Sequence, residues 1–257
     1  MTTAKTNLWA AWIGGLLIVS GLAAMAQGPS PCTTPVALGA ISYGPIPKLS
    51  APYTATLTTM HDQVQADGSL IHGSVTTHQA RDAAGRLWQE RSLGCQPGPD
   101  GVRHPVIQTM VYDPATGTTI SWKEDDPAKV LQVVHTPAVK LPPVTTDPSK
   151  EAGARRAMEE MGIHSEDLGS KKIAGVMAQG TRTMQTVGVQ AGINKPIQIL
   201  RETWVAKDLD LAMLSINDNS RNGRTTVEVV DLKQGDPAPT LFAAPAGYKV
   251  EENKPAQ

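Results

Sequence analysis

Short segments separated by Asp-to-Gly turns constrain the fold of this chain more than any other feature. The first segment, Tyr53 to Gln65, is rich in threonine and poor in helix formers, which favours a strand. Asp and Gly then recur, and both tolerate the positive φ of tight reversals. The turns fall at Asp67-Gly68, Asp82 to Gly85 and Asp113 to Gly117. The predicted antiparallel meander comprises Tyr53–Gln65, Leu70–Arg81, Arg86–Leu93, Val106–Tyr112, Thr118–Lys123 and Val130–His135.

One helix is predicted, directly after a proline-rich connection. Asp147 is a suitable N-cap, and Pro148 fits the first helical position, where its missing N–H costs no hydrogen bond. Gly162 is placed to end the helix. The predicted helix therefore covers 148–161. Its apolar stripe consists of Ala154, Ala157, Met158 and Met161.

Strand-forming segments return after the helix and are separated by polar turn regions. The predicted strands are Lys172–Val187, Ile197–Val205, Leu211–Asn217 and Arg224–Leu232. The apolar residues of the proline-rich stretch after Gly235 should dock onto the domain. The predicted fold class is mainly β, or α+β if the single helix is counted. The pattern predicts a single curved antiparallel sheet, or an open half-barrel, with one covering helix.

This β domain is expected to span 53–248. Residues 27–52, which are rich in Pro, Gly and Ser, form an extended segment before it. Residues 249–257 form a flexible tail after it.

The first 26 residues have the pattern of a secretory signal peptide. Lys5 gives a positive start, and residues 8–25 are apolar apart from a few small ones. Ala24-Met25-Ala26 fits the small-x-small pattern of signal peptidase cleavage, which leaves Gln27 as the new N-terminus. The alternative is that residues 9–25 stay as an N-terminal anchor. We expect a periplasmic or extracellular protein that meets the membrane only through an uncleaved signal segment.

The charge balance argues against nucleic acid as a partner. The chain carries 23 Lys and Arg residues against 24 Asp and Glu residues, a net charge of −1, without basic clusters. Phe242 is the only phenylalanine and aromatic residues make up 4% of the chain, so few rings are available to stack on bases or sugars.

Cys32 and Cys95 are the two cysteines of the chain. Because both follow the expected cleavage site, and exported proteins meet an oxidising compartment, a single disulfide between them is predicted. It closes a loop of about 60 residues, which is worth about 4 kcal/mol in the chain-entropy model. The residues before Cys32 do not form a lipobox, so lipid attachment there is not expected.

A charged pair on two predicted strands is the main candidate for a binding site. If these strands form a hairpin centred near Gly192, the facing pairs are Arg182 with Glu202, Met184 with Leu200, and Gly180 with Trp204. The candidate ligand-binding residues, which then share one face, are Arg182, Met184, Leu200, Glu202 and Trp204. A cross-strand ion pair that only fixes the register is the alternative interpretation.

No strong catalytic or metal-binding motif is evident. The histidines lack His-x-x-x-His or His-Glu-x-x-His spacing, although His61 and His72 are placed to meet across the first hairpin. No serine lies in a Gly-x-Ser-x-Gly elbow, and no glycine-rich phosphate loop is present. Glu124-Asp125-Asp126 is interpreted as a solvated turn. We predict no metal, no cofactor and no catalytic residue, and a binding function is favoured over an enzymatic one.

Methionine, rather than phenylalanine, supplies the pliable apolar side chains of the domain. The set comprises Met60, Met110, Met158, Met161, Met177, Met184 and Met213. It either fills the core or lines a cavity for a lipid-like ligand. The first functional hypothesis is a non-enzymatic envelope protein that binds an apolar small molecule or an envelope protein. The alternatives are a secreted hydrolase and a structural or adhesive surface module.

Four groups of residues together resemble a family of uncharacterised secreted proteins of acidobacterial type, over 53–248. They are Arg81-Asp82-Ala83-Ala84-Gly85-Arg86 with Glu90-Arg91; Ile173-Ala174-Gly175-Val176 with Gly180-Thr181-Arg182; Glu202-x-Trp204 with Asp208-Leu209; and Leu241-Phe242 with Pro245-Ala246-Gly247-Tyr248. This resemblance implies no catalytic residue. More loosely, the order of meander, helix and long hairpins is similar to periplasmic lipoprotein carriers. That similarity implies a half-barrel with an apolar concave side.

Overall fold

Twelve strands form one open sheet in the computed structural model, which describes residues 50–98, 100–136, 148–189 and 194–253. The strands are β1 Tyr53–Val64, β2 Leu70–Arg81, β3 Leu87–Pro97, β4 Arg103–Asp113, β5 Thr118–Lys123, β6 Val130–His135, β7 Ile163–Ile173, β8 Val176–Val187, β9 Ile197–Ala206, β10 Leu211–Asn219, β11 Gly223–Gln234 and β12 Lys249–Asn253. One α-helix, α1 Pro148–Glu160, and a 3₁₀ turn, Pro239–Phe242, accompany them in the described residues. The predicted fold class, a mainly β chain with one open sheet and one helix, is confirmed.

Two meanders make up the sheet. Its strand order is β12-β6-β5-β4-β3-β2-β1-β11-β10-β9-β8-β7. Neighbouring strands are antiparallel except β12 and β6, which are parallel. The meander of β1–β6 meets the meander of β7–β11 where β1 pairs with β11, from Tyr53 opposite Gln234 to Asp62 opposite Arg224. This central pairing makes the two meanders one sheet, with β12 and β7 at its edges.

The turn between β2 and β3 shows why the Asp-to-Gly pattern predicts the reversals. The Asp82 carboxylate accepts hydrogen bonds from the Arg86 backbone N–H at 2.8 Å and from Arg86 Nε at 2.7 Å. Gly85 donates its N–H to the Asp82 carbonyl at 3.0 Å, and its φ of 82° is one that a side chain disfavours. The aspartate side chain and the glycine backbone therefore fix this turn together.

Most predicted strands are confirmed, and β2, β5 and β6 have the predicted boundaries. The prediction of one strand at Lys172–Val187 is wrong. The segment reverses at Ala174 and Gly175, whose φ values of 44° and 87° separate β7 from β8. The residues of β7 are mostly polar, and an edge strand needs no alternating apolar face to be stable. Its sequence therefore gives no strand signal.

The C-terminal stretch docks onto the sheet, as predicted for its apolar residues. Phe242 is 5% exposed, and Leu241 and Tyr248 pack against the same cluster of buried residues. The prediction of a flexible tail from residue 249 is wrong over β12, because Lys249–Asn253 pair with β6. Residues 254–257 lie outside the described residues.

The helix begins at the predicted residue and ends next to the predicted one. Pro148 is its first residue, and Gly162, with φ of 70°, follows its end. Of its predicted apolar stripe, Met158 and the adjoining Met161 are 42% and 60% exposed. The strand that α1 contacts most is β7, at the sheet edge. Within the described residues, no helix is both long and apolar enough to span a bilayer.

The buried apolar residues form two clusters. The first cluster joins β1 to β8–β11, and comprises Tyr53, Ala55, Leu57, Ala178, Trp204, Ala206, Leu209, Leu211, Met213 and Val229. The second cluster joins β2 and β4–β6 to the 3₁₀ turn, and comprises Ala80, Val111, Trp122, Leu131, Val133 and Phe242. The first cluster therefore spans the central pairing of β1 with β11, whereas the second lies within the meander of β1–β6 and the C-terminal stretch that docks on it.

The two clusters begin on opposite faces of the sheet where β1 pairs with β2. Directly paired residues point to the same face, and successive residues of a strand point to opposite faces. Ala80 of the second cluster pairs with Thr54, whereas Tyr53 and Ala55 of the first cluster are the chain neighbours of Thr54. The sheet therefore buries apolar side chains on both faces around this junction.

Several predictions fall on residues that the structure does not describe. These are the signal peptide at 1–26, the extended segment as far as residue 49, and Cys32. Cys95 lies in β3, but its predicted partner is outside the described residues. The signal peptide and the disulfide stay predictions.

We expect Phe242→Ala to lower the free energy of unfolding by about 3 kcal/mol or more, because it removes a buried ring from the second cluster. Val230→Ala is the matched control, since Val230 lies in β11 and is 54% exposed. Its effect should stay below about 1 kcal/mol. Urea unfolding followed by circular dichroism measures both. Equal effects of the two substitutions would contradict docking of the C-terminal stretch.

Candidate functional site

The predicted register between β8 and β9 is confirmed. The facing pairs are Gly180 with Trp204, Arg182 with Glu202, and Met184 with Leu200. The edge strand β7 adds to the same face, because Glu166 pairs with Arg182 and His164 pairs with Met184. Glu166 therefore lies in a strand, directly beside Arg182.

Trp204 is placed by its contact with the backbone of Gly180. A Cβ atom at Gly180 would lie 2.7 Å from three carbons of the Trp204 ring, closer than real contacts allow. Glycine is therefore what lets the ring lie flat against β8. Lys171 Nζ lies 3.8 Å from the centroid of the ring, within cation–π distance. Trp204 is consequently 6% exposed.

Glu202 connects the tryptophan to the arginine. Its Oε1 accepts a hydrogen bond from Trp204 Nε1 at 2.7 Å. Its Oε2 accepts hydrogen bonds from Arg182 Nη2 at 2.8 Å and Nε at 3.2 Å. The remaining nitrogen, Arg182 Nη1, donates to Glu166 Oε2 at 3.3 Å. The arginine is therefore shared between two carboxylates on the strands that flank it.

These contacts fix the charge of the pair. The hydrogen bond from Trp204, followed by those from Arg182, lowers the pKa of the Glu202 carboxyl below its ordinary value. The hydrogen bonds that Arg182 donates to Glu202 raise the pKa of Arg182. Glu202 is thus an ionised acceptor at neutral pH and a poor proton donor. Arg182 already carries two carboxylate partners, so it is not set up to attract a further anion.

A cleft of about 380 Å³ lies farther along the same strands. Met184 and Leu200, two of the predicted site residues, line it, whereas Arg182, Glu202 and Trp204 do not. The other lining residues are His164, Gln185, Thr186, Gln198, Ile199, Asp218 and Ser220. The predicted site is therefore divided into a salt-bridged end and an open cleft.

Sequence reasoning missed the polar residues of the cleft. His164 belongs to β7, which pairs it with Met184. Asp218, near the end of β10, pairs with Leu200. A correct assignment of β7, together with the register of β10, would have placed both beside the predicted methionine and leucine.

The part of the cleft that the structure describes is not basic. Its described lining contains neither Lys nor Arg. Asp218 has its carboxylate 3.9 Å from Arg224 Nη1, and both side chains are about half exposed. Such an exposed pair contributes little binding energy of its own. The lining therefore suits an apolar body with an uncharged polar end.

The methionines do not gather around one cavity. Met213 is fully buried in the first cluster, whereas Met158, Met161 and Met177 are exposed. Met184 is the methionine that lines the cleft among the described residues. Most of the set therefore does not have the ligand-lining role that the composition suggested.

The prediction that His61 and His72 meet is wrong, because the register between β1 and β2 differs by one residue from the one that would place them opposite each other. His72 lies opposite Asp62, with Nδ1 and Oδ1 2.5 Å apart. His61 lies opposite Gly73, on the other face, and its Nδ1 is 2.9 Å from Thr225 Oγ1.

A second polar cluster lies on the other meander and was not predicted. Glu90 is paired with His78 on one side and with Thr109 on the other. Thr109 Oγ1 donates to Glu124 Oε1 at 3.3 Å. Burial, and then the negative charge of Glu124, raises the pKa of Glu90 above its ordinary value. Glu124 and Asp125 themselves lie in an exposed turn, as the sequence predicts.

Comparison with known proteins gives structural similarity alone. No protein-family model and no curated protein matches the chain. An uncharacterized conserved protein from Thermus thermophilus is similar with a TM-score of 0.41 and 10% identity, over 80% of this chain and 92% of that one. MucB in its complex with MucA from Pseudomonas aeruginosa gives a TM-score of 0.36 and 16% identity, over 76% of this chain and 56% of that one.

A LolA superfamily protein from Nitrosomonas europaea gives a TM-score of 0.27 and 6% identity, over 77% of this chain and 93% of that one. At these low scores and identities, the similarities carry no argument about function. The resemblance to acidobacterial proteins stays a prediction.

We expect Gly180→Ala to lower the free energy of unfolding by about 1–3 kcal/mol, because its Cβ would collide with the Trp204 ring. Gly153→Ala is the matched control, since Gly153 lies exposed in α1 with open space around it. That substitution should raise the free energy by up to about 1 kcal/mol. Urea unfolding measures both. Unchanged stability of Gly180→Ala would contradict the packing of Trp204.

We expect Glu90→Gln to raise the melting temperature at pH 7. A carboxyl whose pKa is raised by folding destabilises the fold once it is ionised, so stability falls as pH rises through that raised pKa. Below the ordinary pKa of glutamate, the wild type and the variant should therefore melt together. Differential scanning calorimetry from pH 3.5 to pH 7.5 measures this, with Glu159→Gln on exposed α1 as the control. A pH-independent difference would contradict the assignment.

Proposed function

We propose that this protein is an exported envelope protein that binds an uncharged, lipid-like ligand in the cleft formed by β7–β10. The single observation that carries the proposal is the lining of that cleft. Met184 and Leu200, which are directly paired, supply an apolar surface, and amides and hydroxyls are among the other lining residues. Ligand sites commonly combine an apolar wall with a few polar groups that orient the ligand.

The side chains around the cleft favour binding through apolar contacts rather than through opposite charges. Arg182, which lies in the same strand as Met184, is held by Glu202 and Glu166, and Arg224 has the Asp218 carboxylate 3.9 Å away. Met184 stays 48% exposed at the cleft, although it is a large apolar side chain. Covering such a side chain with an apolar ligand is favourable at about 25 cal/mol per Å² removed from water.

The same geometry gives little support to the hydrolase alternative at this site. An acid–base mechanism needs a proton donor and a base within reach of one substrate atom. Glu202 is ionised and fully engaged by Trp204 and Arg182, so it is unsuited to donate a proton. Apolar binding is the function that this arrangement favours.

The proposal is tested with Met184→Gln and 1-monolauroylglycerol as the probe. Wild-type protein should bind the probe in isothermal titration calorimetry. Met184→Gln should bind it about tenfold more weakly, because an apolar contact of the cleft is lost. The fold should survive, since the residue is half exposed.

Met177→Gln is the matched control. Met177 lies in the same strand, is 61% exposed and does not line the cleft, so its substitution should leave affinity unchanged. Mass spectrometry of solvent extracts from purified protein would identify a natural ligand. Equal affinity of both variants and the wild type, or no binding to wild type, would contradict the proposal.

A further inference from the structure

Four polar side chains lie together on one face of β1–β3, outside the cleft. Tyr53 of β1 is directly opposite Arg81 of β2, and Gln79 of β2 is directly opposite Gln89 of β3. Paired residues share a face, and so do alternate residues of a strand. Arg81 and Gln89 are therefore diagonal neighbours, a separation that long side chains bridge.

All four side chains are buried. Tyr53, Gln79, Arg81 and Gln89 are 1%, 8%, 3% and 4% exposed, respectively. Burial is costly for a polar group without a hydrogen bond and more costly for a charge without a partner. Each nitrogen of this group must therefore be accounted for.

Arg81 is anchored at one nitrogen only. Its Nη2 donates to the backbone carbonyl oxygens of Leu209 and Ala51, and its guanidinium carbon is 5.0 Å from the centroid of the Tyr53 ring. Arg81 forms no ion pair with any described carboxylate. Asp210 is near enough to help raise the pKa of Tyr53, but it does not form an ion pair with the guanidinium. The positive charge of Arg81 is therefore not neutralised by the described protein.

Two buried donors remain without an acceptor in the described residues. They are Arg81 Nε and Gln89 Nε2. The other members are satisfied, because Gln79 Nε2 donates to the Tyr53 hydroxyl at 2.5 Å. The two free N–H groups thus belong to diagonal neighbours, and one of them is part of a cation.

We propose that Arg81 and Gln89 together bind one oxyanion, a carboxylate or phosphate group. An oxyanion supplies the missing negative charge and offers acceptor oxygens to both N–H groups. Hydrogen bonds between a guanidinium and such an anion are shorter and stronger than those between neutral groups. The anion is either the head group of a lipid-like molecule or a free ion.

Thermal unfolding of the full chain tests the site, with acetate, inorganic phosphate or laurate at matched ionic strength. A ligand that binds the folded state alone raises the melting temperature. At least one of the three should raise the melting temperature of wild-type protein by several degrees. A larger rise with laurate than with acetate identifies a lipid head group, and equal rises identify a free anion. No rise with any of them overturns the proposal.

Gln89→Leu removes one proposed donor at nearly constant volume. The anion-dependent rise should be lost in this variant and kept in Gln96→Leu, the same change at an exposed residue of β3. Without added anion, Gln89→Leu should melt no lower than wild type, because the lost donor had no partner. A lower melting temperature, or an undiminished anion effect, overturns the proposal.

The cleft variant separates this site from the proposed function. Met184→Gln should keep the full response to anions, since Met184 lies on β8 and not on β1–β3. If Met184→Gln loses monolauroylglycerol binding but keeps the anion response, the substitution has affected the cleft and not the site at Arg81 and Gln89. An anion response that disappears in Met184→Gln overturns the assignment to Arg81 and Gln89.

Discussion

The pairing of β1 with β11 is the interaction on which the rest of the structure depends. It joins strands that are far apart in the chain, and among the described strands it is the pairing that connects the two meanders. β1 also carries Tyr53, Ala55 and Leu57, which connect the sheet centre to the cluster around Trp204. Backbone pairing and apolar burial therefore reinforce each other along one central strand.

The candidate site follows from this frame through a series of local contacts. Gly180 leaves space for the Trp204 ring, and the ring directs its N–H at Glu202. Glu202 in turn holds Arg182, whose other carboxylate partner is Glu166. The absence of one Cβ thus influences the electrostatics of a charged pair two residues along each strand.

The sequence was informative wherever a local pattern has one physical solution. Asp82 and Gly85 specify a reversal by themselves, and the spacing between Arg182 and Glu202 sets a hairpin register that the structure confirms. These features need no knowledge of distant residues. The order of strands and turns in the first meander was predictable for the same reason.

Features that depend on distant partners were not predictable. The polar sequence of β7 has no alternating apolar face, and Lys249–Asn253 become a strand only because β6 offers a free edge. The cleft is formed only when β7 and β10 both take their places in the sheet, so its residues His164 and Asp218 were not predicted. Arg81 and Gln89 carry polar side chains that normally lie at the surface, and their sequence context gives no sign of burial.

The position of β11 has a consequence for how the chain reaches its native state. The β1 edge that β11 covers stays open until β11 has been synthesised, so the meander of β1–β6 must wait with one edge of β1 unpaired. Contacts of such long sequence separation slow folding and leave intermediates prone to association. A chain released before residue 234 would therefore expose an adhesive strand edge, and premature termination should produce aggregates rather than a smaller soluble domain.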